Sequence, residues 1–98
     1  MDRDAAIIEV GLNEAAMRAQ NPHVAYSPAE CAADALRCAE AGAAVIHWHA
    51  RDAETGAPRF GDAHLNAEAL DLMRAGSDVL AYPKIGRASC RERVFRSV

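Results

Sequence analysis

Ala41-Gly42-Ala43-Ala44-Val45-Ile46-His47-Trp48-His49 runs from a helix stop into a small apolar segment and ends on two imidazoles. Gly42 suits the left-handed residue that follows a helix end. From Ala43 the chain is apolar up to the histidines, as in a parallel strand covered on both faces, so a strand is predicted over 43–49. Upstream, Ser27-Pro28-Ala29-Glu30 is a strong helix start. Ser27 serves as N-cap, Pro28 takes the first helical position and Glu30 closes a capping box, which predicts a helix over 28–41.

Working outward, Ala5 to Leu12 is a short apolar run rich in β-branched residues and predicts a first strand over 5–12. Asn13 to Tyr26 lacks periodicity and contains Asn21-Pro22, so it reads as loop. Beyond the histidines, Asp52 to Phe60 holds Thr55-Gly56 and Pro58 and is a second loop. Asp62 can cap a helix over 63–75 with Leu65, Ala69, Leu72 and Met73 on one face. A third strand is predicted over 78–83. The order β-α-β-α-β argues for an α/β fold of parallel strands joined by right-handed crossovers. Three strands make neither a closed barrel nor a complete doubly wound sheet, so the unit is expected to be incomplete.

Composition sets the limits. At 98 residues and 51% apolar, the chain suits one small globular domain that buries roughly 60 to 70% of its unfolded surface. It holds no apolar run of about 18 residues that would span a membrane. Met1 to Asp4 lack the basic start of a signal peptide, so export is not expected. Cys31 and Cys38 stand about 10 Å apart along one predicted helix, too far for a disulfide, and a reduced cytoplasmic setting is the default.

The net charge of −3 conceals a reversal. Met1 to Lys84 carries 7 Lys and Arg against 13 Asp and Glu, whereas Ile85 to Val98 carries 4 Arg against Glu92 alone. By composition this tail reads as a basic disordered extension or a nucleic-acid-binding arm. The run Ile85-Gly86-Arg87-Ala88-Ser89-Cys90-Arg91-Glu92-Arg93-Val94 also resembles the in-frame translation of a widely used sequencing adapter. On that reading the domain is residues 1–84, residues 85–98 are a non-native tail, and neither a nucleic-acid nor a membrane partner is expected.

In a strand, residues i and i+2 share a face with Cα atoms roughly 6.5 to 7 Å apart. His47 and His49 therefore look the same way and can reach one metal ion, while Trp48 points to the other face, under a crossover helix. The spacing admits two readings, a metal pair or two incidental histidines. Their place at the carboxyl end of a parallel strand is where α/β folds bind ligands. Arg51 and Asp52 follow, suited to binding a carboxylate and orienting an imidazole. Asn13 and Glu14 fall at the same edge, as a loop cap or a substrate contact. His23 and His64 read as solvated surface residues, and Cys31 and Cys38 as small core residues.

The run Leu12-Asn13-Glu14-Ala15-Ala16-Met17-Arg18-Ala19-Gln20-Asn21-Pro22-His23, the capped helix, Ala39-Glu40-Ala41-Gly42-Ala43 and the H-x-H-x-R-D ending together resemble the amino-terminal third of the β-keto acid cleavage enzymes. The resemblance spans about Ile7 to Pro83. It implies a (β/α)8 TIM barrel of which this chain holds the first β-α-β-α-β portion, and a divalent metal, usually Zn2+. The implied reaction exchanges a β-keto acid with acetyl-CoA to give acetoacetate and a new acyl-CoA. His47 and His49 match the family's two metal-binding histidines, and its third ligand, a glutamate, comes from a late strand absent here. Glu14 and Arg51 are the expected substrate contacts.

The resemblance also implies a cytoplasmic homo-oligomer in amino-acid or related catabolism. Two departures stand out: Trp48 replaces a more usual aliphatic residue, and Tyr82-Pro83-Lys84 lacks the family's Ser/Thr- and Gly-rich substrate loop. Two alternatives also fit the residues. One is a metal-dependent hydrolase barrel, which carries H-x-H at a strand end. The other is that the 98-residue chain alone is a catalytically inert fragment.

Overall fold

The computed structural model describes residues 6–85. Three strands alternate with two helices: β1 Glu9–Gly11, α1 Pro28–Glu40, β2 Val45–Trp48, α2 Ala63–Gly76 and β3 Leu80–Pro83. The sheet order is β1-β2-β3, and both pairs are parallel. The predicted order and strand direction hold. Each strand is shorter than expected: β1 begins at Glu9, β2 ends before His49, and β3 starts two residues late. The Ala5 end of the first predicted strand and residues 86–98 of the expected tail lie outside the described residues.

Helix α1 is bounded by its own sequence. The Glu30 amide donates to Ser27 Oγ at 3.1 Å, and the Ser27 amide donates back to Glu30 Oε1 at 2.9 Å, completing the capping box. At the other end the Gly42 amide donates to Ala39 and the Ala43 amide to Cys38, the paired bonds of a Schellman stop. This turn needs Gly42 at φ 114°, a conformation that side chains resist. Helix α2 starts where Asp62 accepts from the Leu65 amide.

Both helices cover one face of the sheet. Ile46 and Trp48 of β2 pack with Cys31, Ala32 and Ala35 of α1 and with Ala69 and Met73 of α2, and all seven are buried. Trp48 thus anchors the core as expected, although its indole N–H is buried without a hydrogen-bond partner. Strand alternation sends His47 to the opposite face, in register with Gly11 of β1 and Tyr82 of β3. β2 is buried on both faces as expected: the helices cover the Ile46 and Trp48 side, and on the other His47 is 2% exposed, packed against His49 and Tyr82. Among the described residues, no helix is long and apolar enough to cross a membrane. Cys31 and Cys38 are free thiols.

Candidate metal and substrate site

The two histidines meet at the carboxyl end of β2. Their ring centroids lie 5.1 Å apart, edge to face, and both residues are buried. His47 is held from β3. Its Nδ1 sits 3.0 Å from the Tyr82 carbonyl oxygen, and the Tyr82 ring lies against the imidazole with centroids 4.5 Å apart. A carbonyl can only accept, so Nδ1 carries a proton, and in the neutral ring the lone pair is at Nε2. The Tyr82 hydroxyl donates in turn to Glu9 of β1.

His49 lies one residue beyond β2 and is held differently. The Asn13 side chain accepts from the His49 amide at 2.9 Å and donates to the His49 carbonyl at 3.0 Å. The Phe60 ring stands edge-on to the His49 ring at 5.2 Å, and Lys84 Nζ lies 5.2 Å from the Phe60 centroid. Burial pushes the His49 imidazole down to about 4, helped by His47, Lys84 and Arg51 and opposed by a hydrogen bond that the ring donates to the Glu14 backbone carbonyl. At neutral pH the ring is uncharged, as a metal-ligating imidazole must be.

Two imidazoles brought together at one strand end form a donor set suited to zinc and similar ions. Among the described residues, no group of three or more His, Cys, Asp or Glu side chains could hold a metal ion. The described residues therefore bring together a pair of imidazoles and not a closed metal site.

The β1–α1 loop brings up Glu14 and fixes Arg51. Glu14 is exposed and adopts φ 38°, in the left-handed region. Its side chain lies over Gly11, where a Cβ would collide with the carboxylate. Because Gly11 pairs with His47, the Glu14 carboxylate is carried onto the histidine face. Arg51 is buried, and its guanidinium donates to the carbonyls of Ala16 at 2.5 Å, Asn13 at 3.3 Å and Glu14. The Tyr26 ring lies near this guanidinium and that of Arg18, at 5.3 and 4.0 Å from its centroid.

Other expectations resolve plainly. Asp52 does not orient an imidazole. Its Oδ1 accepts from the Glu54 and Thr55 amides of its own turn, which with Arg59 hold the carboxyl below its usual range. His23 and His64 are exposed, away from the pair. Three residues around the site were not assigned these roles from sequence: Asn13 as a backbone clamp, Tyr82 as the partner of His47, and Phe60 as the wall beside His49. Parallel register could have pointed to Tyr82, since it ends the strand beside His47. Phe60 arrives from a loop and carries no sequence signal.

Comparison with known proteins gives two matches. The family profile described as beta-keto acid cleavage enzyme matches residues 5–96. A curated protein named 3-dehydrocarnitine:acetyl-CoA trimethylamine transferase, from Rhizobium meliloti (strain 1021), is 44% identical over 59 residues. That stretch is 60% of this chain and 17% of the relative, so the chain spans a small part of the protein it resembles.

Proposed function

The chain belongs to the β-keto acid cleavage enzyme family, and from that premise we propose that it forms the opening β-α-β-α-β portion of a (β/α)8 barrel enzyme. That enzyme exchanges a β-keto acid with acetyl-CoA, giving acetoacetate and a new acyl-CoA, and His47 and His49 are two protein ligands of its divalent metal, zinc by the donor set. The acetyl-CoA co-substrate is supported by the name of the Rhizobium meliloti relative. The barrel is supported by the two helices lying on one face of a parallel sheet, as around a barrel's outside.

The observation that carries the metal reading is the paired orientation of the imidazoles. The His47 ring is fixed through Nδ1 on the Tyr82 carbonyl, which directs Nε2 to a ligand, and the His49 ring lies 5.1 Å away, edge to face, with its pKa lowered by burial. When bound there, a cation supplies Lewis acidity to the oxygen on which negative charge gathers as the C–C bond breaks.

The chain's own residues do the rest of the local work. Tyr82 holds the His47 ring, and the Phe60 ring walls the side of His49. Support for Glu14 as a substrate contact comes from its carboxylate lying over Gly11 on the histidine face. Arg51 contributes to substrate binding through the loop it shapes, since its guanidinium is spent on the carbonyls that set the Glu14 backbone.

The test is a protein carrying this sequence with the remaining barrel, assayed for bound metal and for acetyl-CoA-dependent consumption of β-keto acids. His47→Ala and His49→Ala are each expected to lose both. Undiminished turnover by either variant, or hydrolysis in place of acyl exchange, would refute the proposal.

A further inference from the structure

β1 ends at Gly11, and the last backbone rung between β1 and β2 runs from the Leu12 amide to the His47 carbonyl at 2.9 Å. In a parallel ladder the next residue of β2 facing β1 is two further on, which is His49. No strand residue meets it there. Instead the Asn13 carboxamide takes the place of a peptide group, accepting from the His49 amide and donating to the His49 carbonyl. The same Nδ2 donates to the Ala25 carbonyl at 2.9 Å and lies 3.7 Å from Cys31 Sγ. Asn13 is 4% exposed, so these groups would be left buried and unpaired without it.

We infer that Asn13 is the positioning residue of His49: its carboxamide supplies one extra rung to the β1–β2 ladder and thereby carries the second imidazole out beside the first. This inference rests on the reading of His47 and His49 as a metal pair. The chemistry at position 13 is narrow. Aspartate has the size but no donor for the two carbonyls, glutamine is one methylene too long, and serine cannot span both groups of the His49 peptide. The residue acts on the backbone of His49 and not on its ring, so its effect on metal binding passes through His49 alone.

That restriction gives the test. Zinc affinity of the full 98-residue chain is measured by competition with a chromophoric chelator for wild type, Asn13→Ser, His47→Ala, His49→Ala and the double variant Asn13→Ser/His49→Ala. Asn13→Ser is expected to weaken zinc binding about 10- to 100-fold, the range for residues that orient metal ligands. In the His49→Ala background it should cost nothing further.

Loss of affinity to the same extent in both backgrounds would mean general loosening and would overturn the inference, as would an unchanged Asn13→Ser. If His47→Ala and His49→Ala both bind zinc as wild type does, the metal reading fails instead. Hydrogen exchange of the wild-type chain then still decides the clamp, and it does so too if the variants do not fold. The His49 amide should exchange as slowly as the Leu12 amide, and exchange at the rate of the exposed 53–55 loop would overturn the inference.

Discussion

Cys31 shows how burial sets the behaviour of a single side chain. It is 1% exposed in the core, and burial, with Asp34 and Glu30 nearby, pushes its thiol up to about 12. The thiolate needed for alkylation is therefore scarce at pH 8. Iodoacetamide on the folded chain should label Cys38, which is partly exposed, well before Cys31, as read by peptide mass spectrometry. Equal labelling would mean that the α1 face opens readily. The side-chain identities around the site were legible in the sequence to different degrees. The spacing of His47 and His49 showed that both share a face. Asn13 read as a loop cap or substrate contact, because nothing local shows that its partners are the backbone groups of His49, 36 residues away. Arg51 reads as a carboxylate receptor for the same reason: the carbonyls of Asn13, Glu14 and Ala16 that it meets lie 35 to 38 residues away.

At the level of elements, the ends of α1 are the most locally encoded features of the chain. Ser27→Ala removes the N-cap and should cost about 1 kcal/mol, measured as a shift in urea midpoint with unchanged slope. Gly42→Ala should cost about 1 to 2 kcal/mol, because open space surrounds the site and the penalty is the positive φ alone.

The capping box also titrates. The Ser27 backbone hydrogen bond leads in holding Glu30 below its usual 4.5; burial opposes it, and the Ser27 hydroxyl, the Tyr26 amide and Arg18 add to the lowering. A carboxyl lowered by folding stabilises the folded chain fully above 4.5 and loses that contribution as pH falls below it. The difference in urea midpoint between wild type and Glu30→Gln should therefore be constant from pH 7 to 6 and shrink on the way to pH 3. A difference that grows on acidification would contradict the capping role.

At the scale of the molecule, the two sheet edges stand out. Leu80 on β3 is 69% exposed, and Ile7 and Ile8 before β1 are 83% and 52% exposed. Parallel edges with apolar side chains invite pairing with another chain. The 98-residue chain should self-associate with rising concentration, and Ile8→Lys with Leu80→Lys should shift it toward monomer in sedimentation velocity. A monomeric wild-type chain at 100 µM or so would argue that the edges are protected. The core is thin, so Met73→Ala, which empties a buried position between α2 and the sheet, should cost about 2 to 5 kcal/mol in urea unfolding.

The sequence by itself determined the order of elements, the boundaries of α1, the parallel sheet and the shared face of His47 and His49. Caps, helix stops and strand alternation depend on residues within a few positions of one another, so they can be read from the chain alone. Tertiary structure decided what surrounds the histidines. The Tyr82 carbonyl fixes the His47 ring through Nδ1, Asn13 continues the ladder to His49, and Arg51 holds the loop that brings Glu14 over Gly11. Each is a hydrogen bond or contact that exists only after strands distant in sequence have been brought into register, and no local pattern records it.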